Sequence, residues 1–171
     1  TKSISQYRFS YEDPSSLGHN SVRSLLRDHQ GGMWVGTYHG GLNYYHVLAP
    51  DFRVLQHSVY RNSLSDNTVS CIAEDPFNNN LWIGTSEGLN VMDKRTGEIK
   101  KYKAPYLSNN VVSALCVTRD NTVWVGTDNG LCRYVAEKDT FVVCGDDFGD
   151  SRLRYVTIKS LLEDSDGDLW I

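Results

Sequence analysis

Basic runs, long apolar stretches, helical periodicity and proline are all missing or scarce in this sequence. Lys and Arg number 17 against 21 acidic residues, for a net charge of −4, and the cations stand singly. A nucleic-acid-binding surface shows a basic stripe or cluster, so no nucleic acid is an expected partner. No apolar run approaches the roughly 18 residues a helix needs to cross a bilayer, so this stretch is not expected to contact a membrane. The chain opens at Thr1 without a leader-like segment and stops at Ile171 in mid-pattern, so its ends say nothing about location. Cys71, Cys116, Cys132 and Cys144 form no CxxC pair and have no His at ligand spacing. Each lies in an apolar, strand-like run, which reads as a small buried hydrophobe, with a disulfide as the alternative. His19, His29, His39, His46 and His57 stand outside any nucleophile context, no H-E-x-x-H occurs, and surface or loop positions are expected. No metal and no cofactor are expected.

What the sequence does have is aromatic residues and glycine. Ten Tyr and four Trp favour the pleated surface of strands, and fourteen Gly against four Pro favour tight turns. These residues recur in register. Four segments align: LGHNSVRSLLRDHQGGMWVGTYHGGLNYY from Leu17, LSDNTVSCIAEDPFNNNLWIGTSEGLNVMD from Leu64, LSNNVVSALCVTRDNTVWVGTDNGLCRY from Leu107, and LRYVTIKSLLEDSDGDLWI from Leu153. In each, a β-branched anchor (Val22, Val69, Val112, Ile158) follows the leading Leu by five positions. A tryptophan follows that anchor by 12, 13, 12 and 12 positions, and successive tryptophans lie 48, 42 and 46 apart. The extra residue of the second copy falls in Pro76-Phe77-Asn78-Asn79-Asn80, where a turn absorbs it.

Each unit holds short strand-like runs divided by turn chemistry, represented in the second copy by residues 69–74, 81–85, 89–93 and 99–102. Asp/Asn/Gly clusters part the first two runs, and a loop ending in Gly parts the next two. Four antiparallel strands in a repeat of about 40–50 residues describe a propeller blade. The expected fold is all-β: a partial β-propeller of about three and a half blades of four-stranded antiparallel sheets. Its expected parts are an outer strand near 4–11, blades near 17–57, 64–103 and 107–145, and a partial fourth blade over 153–171. Trp34, Trp82, Trp124 and Trp170 are expected to fill the gaps between neighbouring blades, and Gly36, Gly84 and Gly126 to let backbones converge.

The copies WVGTYHGGLNYY, WIGTSEGLNVMD and WVGTDNGLCRY, each preceded by a V-x-x-[LI] strand, closely resemble the two-component-regulator propeller repeat. The resemblance covers nearly the whole chain. It implies an extracytoplasmic, periplasmic sensor region of a bacterial hybrid histidine kinase that responds to oligosaccharides, with a membrane helix and signalling domains elsewhere in the protein. The chain departs from that pattern by its shortness and carries no kinase motif, so no signalling chemistry is expected here.

Asp164-Ser165-Asp166-Gly167-Asp168 starts like a calcium loop, but the other copies lack its carboxylates and no Glu follows at the twelfth position, which favours a plain turn. The same stretch resembles the Asp box of sialidase propellers. A glycosidase, however, needs two carboxylates at a defined separation, and the acids here fall mainly in turns. Enzyme activity is therefore not expected, and a sialidase-like glycosidase fragment stays as the lesser alternative. A protein-interaction scaffold is the other. Candidate ligand residues are those on loops that differ between copies: Tyr38, His39, Glu87, Asp128, Asn129, Arg154 and Tyr155. Tyr and His present a ring and a hydrogen bond together, chemistry that suits an oligosaccharide. An open arc also leaves two blade faces uncovered, so self-association as a homodimer is expected.

Overall fold

The computed structural model describes residues 4–145 and 151–171. The first blade comprises β1 (Val22–Arg27), β2 (Met33–Thr37), β3 (Leu42–His46) and β4 (Ala49–Leu55). The second comprises β5 (Val69–Asp75), β6 (Asn80–Thr85), β7 (Gly88–Asp93) and β8 (Ile99–Tyr102). In the third are β9 (Val112–Val117), β10 (Val123–Thr127), β11 (Gly130–Val135) and β12 (Thr140–Val143). Each is an antiparallel sheet in simple up-and-down order, and β13 (Leu162–Glu163) pairs with β14 (Leu169–Trp170) in the fourth. The architecture is the partial propeller that the repeat arithmetic predicts, with the sheets unclosed into a ring.

The middle strands read as near-continuous apolar runs because blades cover both of their faces, as in any sheet sandwiched between neighbours. β6 is buried from Leu81 through Thr85, and the outermost β8 exposes Lys100 and Lys101. Among the described residues the core falls into four apolar clusters, three of them at blade junctions and the fourth, Leu17, Val35 and Phe52, on the outward side of the first blade. Trp34 packs with Leu64, Val69, Leu81 and Ile83 of the second blade. Trp82 packs with Val112, Val123, Val125 and Phe141 of the third. Trp124 lies against the cluster of Ala114, Leu131, Cys144 and Ile158. Trp170 has no following blade on it and is 64% exposed, against 7% for Trp34 and 2% for Trp82.

The glycine of W-[VI]-G-T owes its place to the next blade's anchor. A Cβ on Gly36, Gly84 or Gly126 would come within 2.7, 2.7 and 2.6 Å of Val69, Val112 and Ile158, respectively. Anchor and glycine are thus the two halves of one contact, repeated at each junction.

Residues 4–11, expected as an outer strand, form no ladder. A strand is made by a neighbour's backbone groups, and no described strand flanks this segment. It nevertheless exits as the other outer strands do. Asn20 Oδ1 accepts the Phe9 N–H at 2.8 Å, as Asn67 accepts that of His57 at 2.6 Å and Asn110 that of Ala104 at 2.8 Å. In the fourth unit, pairing is confined to β13 and β14.

Candidate functional site

One end of the arc carries the loops β2–β3, β6–β7 and β10–β11 together with the lead-in to each first strand. The backbone ties them into a continuous face. Tyr38, Ser86 and Asp128 donate their N–H groups to Ser21, Thr68 and Val111 within their own blades. Gly41 and Gly130 donate to Asn67 and Val156 at the next blade. Beneath the loops, Thr37, Thr85 and Thr127 hydroxyls donate to the Gly41, Gly88 and Gly130 carbonyls at 2.8–2.9 Å. Asn43 and Asn90 accept the Gly18 and Ser65 N–H groups at 2.7 and 2.8 Å. This scaffold repeats from blade to blade; what stands on it differs.

All seven sequence-predicted ligand residues stand on or beside these loops. In the first blade, Tyr38 and His39 bring their ring centroids to 3.8 Å. His19 lies 6.3 Å from Tyr38 and 6.5 Å from His39, and the Arg23 guanidinium sits 4.8 Å from the Tyr38 centroid. His39 holds φ at 67°, an uncommon conformation for a bulky residue. Among the described residues, Arg23 has no carboxylate partner, so this cluster offers cationic and neutral donors over an aromatic base. Elsewhere on the face the predicted acids are engaged. Glu87 pairs with Lys103 at 3.6 Å. Asp128 meets Lys159 at 3.4 Å and accepts from the Ser113 hydroxyl at 3.2 Å. Asn129 is anchored to Ser108 and Thr127, and the Arg154 guanidinium lies 6.0 Å from the Tyr155 ring. The structure brings Tyr38 and His39 together and leaves the others as separate points along the arc.

Sequence reasoning placed Arg23 on this face, within the lead-in from His19, but passed over Ser70, Ser113 and Lys159, which follow the other anchors. β1, β5 and β9 each carry a bulge at this point, with an extra residue, Arg23, Ser70 or Ser113, between anchor and ladder. Bulges re-aim side chains. Here Arg23 reaches Tyr38 and Ser113 reaches Asp128, while Lys159, at the same offset after Ile158, also reaches Asp128. The identities Arg, Ser, Ser and Lys vary between copies that otherwise match, and that variation was the available signal.

At the opposite end, the turns between first and second strands lock one blade to the next. The Glu74 carboxylate accepts the His29 N–H at 3.0 Å, contacts His29 Nδ1 at 2.6 Å, and accepts from Lys94. Glu163 holds Arg119 in the same way, through its N–H at 2.9 Å and Nε at 3.3 Å. Burial pushes the Glu74 carboxyl upward, but the hydrogen bonds from Lys94 and His29 outweigh it and hold the group below 4.5. Within the turns, Trp34 Nε1 donates to Asp28 at 3.0 Å and Trp170 Nε1 to Asp164 at 2.6 Å. Asp164 also accepts the Asp166 and Asp168 N–H groups, so the D-x-D-G-D stretch is a turn organised by its first aspartate.

The junction of the second and third blades is built differently. Pro76 stands where His29 and Arg119 offer an N–H, and Val117 stands where Glu74 and Glu163 offer a carboxylate. Asp139 ties this junction farther out, accepting from Lys100 and Tyr102 and from Tyr134 at 2.9 Å. The Lys100 bond, helped by Tyr102, lowers its carboxyl to about 2; burial and the bond to Asp139 raise Tyr102 to about 12. Among the described residues no disulfide joins the four cysteines, and burial raises the Cys71 thiol to about 12, which keeps it unreactive.

Comparison with known families places four matches to the two component regulator propeller model along the chain, over residues 16–39, 63–87, 106–129 and 152–171. No curated protein matches the sequence. Among solved structures, the chain resembles the extracellular domain of the putative hybrid two component system BT3049 from B. thetaiotaomicron. It does so with 25% identity and a TM-score of 0.78, over 98% of this chain and 21% of that one. The extracellular domain of the putative one component system BT4673 from the same organism follows, at 26% identity and 0.73, over 90% and 20%. Virginiamycin B lyase from Staphylococcus aureus shares the fold at 13% identity and a TM-score of 0.62, over 88% and 48%. The chain spans about a fifth of the length of the two B. thetaiotaomicron domains. Its repeated tryptophans, glycines and anchors, with the family model matched in all four copies, make the chain a member of the two component regulator propeller family.

Proposed function

We propose that this chain is part of the periplasmic ligand-sensing domain of a hybrid two-component histidine kinase and contributes an oligosaccharide-recognition surface from its loop face. The supporting observation is the contrast on that face. Buried Thr and Asn residues repeat beneath the loops, whereas Arg23, Tyr38 and His39 stand on one blade without counterparts on the next two. Function resides on variable loops held by a constant scaffold. Tyr38 supplies ring surface, and Arg23, His19 and His39 supply donors for hydroxyl or carboxylate oxygens. Ligand capture shifts the arrangement of two sensor chains, and the kinase reads that shift across the membrane. On this reading the chain binds without catalysing, and its loop-face acids Glu87 and Asp128 are each paired with a lysine.

Binding of an oligosaccharide panel, measured by calorimetry on the parent sensor domain, tests this reading. Tyr38→Ala with His39→Ala is expected to weaken the bound glycan at least about tenfold, the equivalent of about 1.4 kcal/mol. Unchanged affinity removes these residues from the site. Binding to a peptide panel with no glycan bound favours the interaction-scaffold reading instead.

A further inference from the structure

The geometry points to a second, separate binding site at the junction of the second and third blades, for a neutral, hydroxyl-rich small molecule the size of one pyranose ring. Three observations converge there. The carboxylate lock found at the two flanking junctions is missing, because Pro76 has no N–H to donate and Val117 has no carboxylate to receive one. In its place lies a cavity of about 250 Å³ lined by Asp75, Asn78, Asn80, Trp82, Asn121 and Tyr134, with Val91 and Val123 on its apolar side. Finally, the buried Trp82 Nε1–H has no acceptor, whereas Trp34 and Trp170 donate theirs to the turn aspartate. The cause is the one-residue insertion. It sets Asp75 seven positions before Trp82 where six separate the other pairs, and Asp75 is consumed by the Phe77 and Asn78 N–H groups and the Asn78 amide.

The lining defines the ligand class. No Lys, Arg or His lines the cavity, so an anion finds no counter-charge, and the oxygens of its one carboxylate, Asp75, are already occupied by neutral donors of its own turn. Side-chain amides both donate and accept, as hydroxyl groups do. The Trp82 and Tyr134 rings, 5.1 Å apart and edge to face, supply a wall for the apolar face of a sugar. A wider cavity of about 460 Å³ shares Asn80, Val91 and Tyr134 and leaves room for a substituent leading outward. The site lies at the opposite end of the blades from the loop face and does not depend on it.

The Trp82 indole is its own reporter. In a ¹⁵N-labelled chain, its N–H cross-peak is identified by loss in Trp82→Phe and followed during titration with methyl α-D-glucopyranoside and methyl β-D-galactopyranoside. A saturable shift with either glycoside is expected, with the Trp34 and Trp170 cross-peaks stationary. Asn80→Ala combined with Asn121→Gly, the glycine keeping the φ of 64° at that position, is expected to weaken the titration at least about tenfold. Stationary Trp34 and Trp170 peaks in that variant report an intact fold. Absence of any shift, a full titration in the double variant, or an equal response to D-glucuronate overturns the site. Tyr38→Ala with His39→Ala must leave this titration unchanged, so failure of the loop-face reading and failure of this one are read separately.

Discussion

Gly84 shows how a single hydrogen in place of a methyl sets the distance between blades. Its missing Cβ is the space that Val112 Cγ1 occupies at 2.7 Å, with the Cys71 sulfur pressing from its own sheet. Both neighbours are held by β-sheet backbone or close packing, so neither yields easily. Gly84→Ala is expected to destabilise the chain by about 1–3 kcal/mol, as overpacking of a filled core does. Gly97→Ala is the comparison: it meets nothing within 4 Å, and its penalty comes only from a φ of 76°. Urea denaturation of the two variants measures the difference. A Gly84→Ala midpoint no lower than wild type would show that the blades slide to accommodate a methyl. The same logic makes the anchor–glycine pairing readable: a β-branched residue in one copy implies a glycine in the copy before it.

At the scale of strands and turns, the carboxylate locks decide how firmly neighbouring blades are joined. Lys94 is only 6% exposed, and among the described residues Glu74 is its one anionic partner. Glu74→Ala therefore strands a buried ammonium, and a loss toward the low end of about 3–5 kcal/mol is expected. The pH dependence follows in sign. Glu74 is held below 4.5 in the fold, so its contribution is complete above 4.5 and is lost as pH falls through the lower folded value. Asp139 acts likewise, its contribution present above 3.8 and lost as pH falls through about 2. Thermal denaturation followed from neutral pH downward is expected to show a smaller acid-induced fall in Tm for Glu74→Gln than for wild type. Parallel curves for the two proteins would show that the lock carries no protonation-linked stability. Junctions thus differ in kind: two are closed by glutamate, and the middle one is held by Asp139 with a cavity beside it.

At the scale of the whole chain, the two outer blade faces are the unusual surfaces. Leu25 is 65% exposed, whereas Ile72 and Leu115, its equivalents, pack into the junction clusters. Val22, Leu25, Met33, Val35 and Phe52 line an apolar cavity of about 370 Å³ on that face, and Trp170 and Leu162 stand bare on the other. Each face is shaped to receive a blade, and we propose that in the isolated chain a second copy takes that place. Self-association of the isolated chain is expected, with light scattering reporting a mass above 19.3 kDa that rises with concentration. A folded monomer at high concentration would show that the Tyr7 segment, packed on Tyr45 and Phe52, is cover enough.

Blade number, strand order and the roles of the recurring Trp, Gly and β-branched anchors were legible in the linear chain, because a repeat samples one environment several times and shared constraints stand out as matched offsets. The positions of Tyr38 and His39 on the loop face were legible for the opposite reason, as departures from the repeat; their role as ligand contacts is the proposal made above. Three-dimensional packing alone revealed the bulges that turn Arg23 and Ser113 toward the loops, since a bulge is a relation between two strands and leaves no mark in either. It likewise settled whether residues 4–11 become a strand, which depends on a partner for their backbone groups. The lock between His29 and Glu74 joins residues 45 positions apart, and the orphaned Trp82 N–H follows from where an inserted residue moves a side chain. Periodicity is a property of sequence; contact between blades is a property of space.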